Sequence, residues 1–302
     1  MSLRFSGGPY VNTTFTTTVG TRLEIVSGVV SALTSAGWST VSSTTGDYTM
    51  QTATTPEGLS MKVRIYDPGS GNCARVQIKS PDNFWTSQDS WLAPAAGRVF
   101  NIIACPYQCF VWTSTPPSQT SNNYGTFLAW GVPALPSWLV GVTKQCGWIK
   151  GNSNGDSGGW VGSWRNELSG WNGDYYSHWS AFRNLEWIDR NPANDYYRSC
   201  DMTLVMHASG FRGPAGNGVS GYPGLRWVDN TLMLSDPLIG WGMSQTNDEC
   251  LIQGQLWDCA IAGDAFTVDT AVTIGSHNGI TMTSSNTGST ASPAGTLIVC
   301  YS

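Results

Sequence analysis

Ser157 stands in the run Gly155-Asp156-Ser157-Gly158-Gly159, a setting in which a serine hydroxyl could act as a nucleophile. A serine becomes nucleophilic when a base, most often His, takes its proton and a carboxylate orients that base. The three histidines, His178, His207 and His277, all follow Ser157. Hydrolysis of a glycosidic bond is a second possible chemistry, and it needs two carboxyl groups about 5–10 Å apart. Glu167, Asp174, Glu186 and Asp189 could supply them, but no local motif ties one as acid to another as base. The third possibility is binding. Trp164, Trp171, Tyr175, Tyr176 and Trp179 are amphipathic rings in a short stretch that also holds His178. Such rings stack on sugars and anchor protein interfaces. These five are the candidate interface or ligand residues. The competing reading packs the same rings into the small core of a loop-rich lobe, and the usual burial of Trp favours it.

The run around Ser157 resembles the nucleophile signature of the trypsin-like serine proteases. That resemblance implies a His base and an orienting Asp upstream, a strand-built region ahead of the Ser, and a Pro after the last Gly. Here no His lies upstream, a helix pattern occupies part of that region, and Trp160 follows the last Gly. Without its base the proton transfer has no route. The run therefore reads as a Gly/Asp/Ser turn, and the chain is not expected to be an enzyme. His207 ends an apolar run and reads as a partly buried His rather than a ligand.

Composition narrows the classes further. The 302 residues carry 15 Lys+Arg, 15 Trp, 35 Gly and a net charge of −5. Charged residues make up 12%, about half the usual share. So few cations argue against nucleic acid, whose binding requires Lys and Arg to displace counterions. The hydrophobic fraction of 40% argues against disorder. No apolar run approaches the length of a membrane-spanning helix, and residues 1–20 show no secretion signal. No Gly-rich phosphate loop appears in a strand–turn–helix context, so no cofactor is expected. Of the eight cysteines, Cys105 and Cys300 end strand-like apolar runs, where a free thiol behaves as a small hydrophobe. Buried thiols are the favoured reading. Disulfides and metal ligation by Cys105 and Cys109 remain the alternatives, although no second close pair completes a zinc pattern.

The elements that must position these residues are clearest near the start. Thr21-Arg22-Leu23-Glu24 forms a capping box, Leu23, Val26, Val30 and Leu33 form one apolar stripe, and Gly37 ends the helix. Segments 38–42 and 48–52 flank Gly46-Asp47 as a hairpin. Met61, Val63 and Ile65 alternate with polar residues, as do Val76 and Ile78, around the turn Asp67-Pro68-Gly69-Ser70-Gly71. Further strands are expected at 99–105 and 109–113, broken at Pro106, and at 126–132. Segment 136–199 carries seven tryptophans among Gly, Ser and Asn without a sustained period. Strand-like runs return at 202–207, 231–234, 251–261, 271–274 and 296–300. The fold class is α+β and β-rich: one N-terminal amphipathic helix packed on a mostly antiparallel sheet, a Trp-rich loop segment, and further β-strands at the C-terminus. The expected organisation is an N-terminal arm (1–19), a helix-on-sheet domain (20–136), a Trp-rich insertion (137–200) and a β-rich region (201–302) whose last strand could complete the first sheet.

Two segments carry a further likeness. Ile252-Gln253-Gly254-Gln255-Leu256-Trp257-Asp258-Cys259, followed by Gly295-Thr296-Leu297-Ile298-Val299, resembles the GQLWDA-like segment and terminal strand of uncharacterised structural proteins of tailed bacteriophages. Cys105-Pro106-Tyr107-Gln108-Cys109-Phe110-Val111-Trp112 resembles a strand turn of the same kind of protein, with Cys109 in place of an aromatic residue. Gly131-Val132-Pro133 and Pro136 also fit. The resemblance implies a virion component of the tail, baseplate or neck, assembled in the host cytoplasm. It would be present in multiple copies, with other virion proteins and copies of itself as partners. It names no catalytic residue. Low charge and abundant aromatics suit a subunit that buries large faces against neighbours. The alternative is a receptor- or glycan-binding module that presents the Trp/Tyr-rich segment 160–187 to a host surface glycan.

Overall fold

The computed structural model describes residues 3–70, 73–79, 90–92, 95–113, 127–135, 148–152, 177–181, 202–205, 234–235, 238–242, 250–262, 270–282 and 296–302. Helix α1 (Arg22–Ser35) starts at Thr21, whose hydroxyl accepts the Glu24 N–H while the Glu24 carboxylate accepts the Thr21 N–H. This satisfies donors that the first turn leaves without helical partners. The carboxylate also accepts the N–H groups of Thr18, Val19 and Gly20. Led by the Thr21 bond, these donors hold the Glu24 carboxyl down at about 2. Since the folded value lies below the ordinary 4.5, its stabilisation is complete above 4.5 and lost as pH falls toward 2. Glu24→Gln should flatten the acid limb of the stability curve in that window, as read by urea titrations between pH 2 and 5.

The helix ends in a Schellman motif. Gly37 takes φ +87°, its N–H reaches the Thr34 carbonyl, and the Trp38 N–H reaches the Leu33 carbonyl. The buried face is Ile25, Val26, Val29, Ala32 and Leu33. This corrects the stripe read from spacing: Val26 and Leu33 belong to it, while Leu23 is 42% exposed and Val30 is only partly buried. The helix packs against strands of two sheets, not one, which widens and turns its apolar face.

The first of these sheets is an antiparallel meander of β2 (Ser39–Thr44), β3 (Asp47–Gln51), β4 (Lys62–Tyr66), β5 (Ala74–Lys79) and β6 (Ser90–Leu92). Its buried face carries Met50, Val63, Ile65, Val76 and Ile78. The alternation of these with Lys62, Arg64 and Gln77 is what a sheet covered on one side requires. The second sheet has the order β1 (Val11–Thr16), β7 (Val99–Cys105), β8 (Gln108–Thr113), β9 (Phe127–Gly131), β10 (Trp148–Asn152) and β11 (Ser177–Ala181). The turn at Pro106-Tyr107 joins β7 to β8, with Cys105 facing Gln108. β1 corrects the reading of 1–19 as an arm alone. Its Phe15 stacks on Phe100 with centroids 5.0 Å apart. One core holds the α1 face, the inner faces of both sheets, and Val132 and Leu135.

The remaining strands form two smaller sheets. β12 (Met202–Val205), β14 (Leu238–Gly242) and β15 (Cys250–Gln255) form one; β13 (Leu234–Ser235), β16 (Cys259–Ala262), β19 (Thr296–Cys300), β18 (His277–Met282) and β17 (Ala271–Ile274) form the other in that order. The run 251–261 is therefore two strands, separated by a turn at Trp257-Asp258. The last strand pairs with β16 and β18. One backbone link to the N-terminal part is a reciprocal pair of hydrogen bonds between Ala134 and Gln255, at 2.8 and 2.9 Å. The chain is thus β-rich and antiparallel with one helix among the described residues.

Candidate functional site

A cluster of buried and partly buried polar side chains surrounds the turn between β15 and β16. Asp258 is 1% exposed and takes φ +50°, a left-handed conformation that Asp tolerates better than most residues. Its backbone N–H donates to the Arg4 carbonyl and its carbonyl accepts the Cys300 N–H, both at 2.7 Å. Its carboxylate accepts the Ser6 N–H at 2.8 Å and the Tyr10 hydroxyl at 3.0 Å. The Ser6 and Cys105 side chains also lie close enough to favour its charged form. One residue therefore ties together the N-terminal arm, the end of β7 and the C-terminal strand.

Gln108 closes the cluster from the other side. Its amide oxygen accepts the Trp257 N–H at 3.1 Å and its amide N–H donates to the Trp257 carbonyl, so the side chain pairs with that backbone as a strand would. The Trp257 ring packs against Tyr107 at 4.6 Å, and the Arg4 guanidinium lies 5.5 Å from its centroid. Arg4 also pairs with Glu57. Helix α1 is tied to the same point, because the Trp38 indole donates to the Cys105 carbonyl at 2.9 Å.

The electrostatics of the cluster are set mainly by burial. Burial raises the Asp258 carboxyl above its ordinary value, against the lowering effect of the hydrogen bonds from Ser6, Cys105 and Tyr10. Burial, then the Asp258 charge, pushes Tyr10 up to about 12. The same two causes raise Cys105 well above the usual thiol range. A thiol so held is protonated at neutral pH and a poor nucleophile. Burial likewise raises Cys109 and Cys259, and lifts Cys300 to about 12. Cys105, Cys109, Cys259 and Cys300 are free thiols and, like Cys73, are buried. Among the described residues, no group of three or more His, Cys, Asp or Glu converges as a metal site would require.

The two segments singled out in the sequence meet here, since Gln108 and Trp257 are 149 positions apart and share two hydrogen bonds. Arg4, Ser6 and Tyr10 were not singled out, and nothing in their local pattern marks them. Of the candidate interface residues, Trp164, Trp171, Tyr175 and Tyr176 lie outside the described residues. Trp179 lies on β11 opposite Lys150 of β10. Ser157 and its run, Glu167, Asp174, Glu186, Asp189 and His207 also lie outside them. His178 lies on β11 opposite Gly151. His277 stacks on Phe5, with centroids 3.7 Å apart and planes 7° from parallel. No helix of the described residues is long and apolar enough to cross a membrane. No protein-family model and no curated protein matches the chain.

Proposed function

We propose that the chain is a structural component of a tailed-phage virion, in the tail, baseplate or neck, where it assembles in multiple copies with neighbouring virion proteins. The phage assignment rests on the likeness of segments 105–112 and 252–259. The observation that supports assembly is the state of the sheet edges. β1, β2 and β17 each end a sheet, and their sequences VNTTFT, STVSST and AVTI contain no charged residue and no proline.

An edge strand displays unpaired N–H and carbonyl groups, and monomeric proteins blunt such edges with Lys, Pro or bulges. β2 has one of these devices, a bulge at Val41. β1 and β17 keep unbroken register with their neighbours. Asn12, Thr13, Thr14 and Thr16 are exposed along β1, as are Ala271 and Thr273 along β17. By contrast, β6 at the far edge of its sheet touches β9 and β10, and β11 touches β12. Open uncharged edges suit strand-to-strand joining of subunits.

The purified protein should sediment as a multimer, and Thr14→Lys with Thr273→Lys should return it to monomer. Stability should change by no more than about 0.5 kcal/mol per site, as for exposed substitutions generally. A reconstruction of the intact particle should place the chain in the tail, baseplate or neck. Normal tails in particles lacking the chain, together with a monomeric purified protein, would overturn the proposal.

A further inference from the structure

The segment from Leu3 to Ser6 has no strand of its own, and the contacts described for it fall on the β15–β16 turn, the C-terminal sheet and Glu57. Leu3 and Phe5 pack on a cluster of Ala260, Ile274, Ile298 and Cys300, and Phe5 stacks on His277. Arg4 and Ser6 bond to Asp258, and Arg4 pairs with Glu57. A cluster of four small and medium side chains buries little apolar surface by itself. The two arm residues therefore contribute a large part of its closure.

Immediately after this segment the backbone turns through Gly7 and Gly8, with φ +77° and +78°. A side chain at Gly7 would meet nothing within 4 Å. From Val11 onward the chain belongs to the six-stranded sheet. The arm is thus a plug joined to the sheet unit through Gly7, which stands in open space, and Gly8, where an added Cβ would lie 3.2 Å from the Tyr10 ring and whose N–H donates to the Ser6 hydroxyl at 3.3 Å. We infer that this plug and its seat on the C-terminal sheet form an exchange interface, with the seat of one copy receiving Leu3-Arg4-Phe5-Ser6 of a second copy. The inference rests on the multi-copy reading above.

Exchange conserves the contacts of the plug with its seat, so it differs from closure within one chain by the cost of association, by rotation at the hinge and by the Gly8 N–H bond to Ser6 that the rotation releases. Glycine makes that rotation inexpensive because it populates positive and negative φ about equally. In an assembly, neighbouring subunits reach effective concentrations of about millimolar, which offsets the association cost. Geometry adds a constraint. Four extended residues span at most about 14 Å, so the receiving seat must lie within that distance of the donor hinge. Tyr10, beyond the hinge, stays on its own Asp258, so each knot keeps one ligand from its own chain and takes another from its neighbour.

Phe5→Cys and His277→Cys place one thiol on the plug and one on the seat. The two single variants, mixed during assembly and treated with a mild thiol oxidant, should give a covalent heterodimer about tenfold enriched in the multimer fraction over the monomer fraction. The parent protein, treated in parallel, controls for the native thiols. Leu3→Cys with Val272→Cys provides a second pair that leaves the Phe5–His277 stack in place. A multimer in which the double variants give only intrachain bridges, and the mixed singles give none, would overturn exchange while leaving the assembly reading intact. A protein that stays monomeric at every accessible concentration would overturn both.

Discussion

Replacing Asp258 with Ala should lower the unfolding free energy by about 3 kcal/mol, measured by urea denaturation at pH 6. The carboxylate accepts the Ser6 N–H and the Tyr10 hydroxyl in a position 1% exposed. Without it, donors at this site lose their partner at about 1–3 kcal/mol each. Ala also tolerates φ +50° poorly, at a further cost of about 1–2 kcal/mol. Relief from burying a carboxylate works in the opposite direction and keeps the net near the middle of that range. The arm should loosen before the whole protein unfolds, since its seat depends on the Asp258 turn. Arg4 lies in the arm, so the rate of trypsin cleavage after Arg4 reports that local opening. Cleavage should accelerate in the variant under conditions where the core is still folded. An unchanged rate would mean that Leu3 and Phe5 hold the arm without the carboxylate.

Asp258→Asn separates the charge from the acceptor. Asn keeps one side-chain oxygen for Ser6 and Tyr10 and accepts the left-handed backbone. The Asp258 carboxyl is raised in the folded protein by burial. Its contribution is therefore complete below the ordinary 3.8 and declines as pH rises through the folded value. The stability of the parent relative to Asp258→Asn should fall as pH increases. Glu24 moves the opposite way, because its folded value is lowered. The two groups can be told apart by the sign of their slopes.

What could be read in advance was local. Thr21, Glu24 and Gly37 act on backbone within a few residues, so the cap and stop of α1 were legible. The phase of its apolar stripe was not, because two sheets share the helix and Phe15 lies against Gly28. β1 escaped because V-N-T-T-F-T lacks strict alternation and its pairing with β7 spans more than eighty positions. The run 251–261 read as one strand because a turn with Asp in the left-handed region carries no local signature here. Its compensation comes from Ser6 and Tyr10, 252 and 248 positions away. The same distance hid the arm's role. The resemblance did mark both halves of the Gln108–Trp257 contact, although neither half shows by itself that the other exists. The aromatic candidates followed a different signal, composition, and four of the five lie outside the described residues.

Gly131→Ala should be the most damaging single methyl group in the six-stranded sheet, at about 3 kcal/mol. β9 lies between β8 and β10, and Gly131 is paired with Gln108 on one side and Trp148 on the other. A Cβ there would sit 2.6 Å from the Gln108 Cβ, 2.6 Å from the Tyr107 carbonyl oxygen and 2.8 Å from the Gln108 Cα. Two of those atoms are backbone, so no rotamer change relieves the overlap and the start of β8 must move. That movement pulls the Gln108 amide off the Trp257 backbone and disturbs the Val132 N–H bond to Tyr107, 2.9 Å long. Overpacking alone costs about 1–3 kcal/mol, and each buried hydrogen bond lost adds about 1 kcal/mol. Gln108→Ala breaks the Trp257 link directly, so the two substitutions share part of their damage. In a double-mutant cycle the combined loss should fall short of the sum by at least about 0.5–1 kcal/mol. Strict additivity would mean that the methyl group acts on the β8–β9 ladder without reaching the Trp257-Asp258 turn.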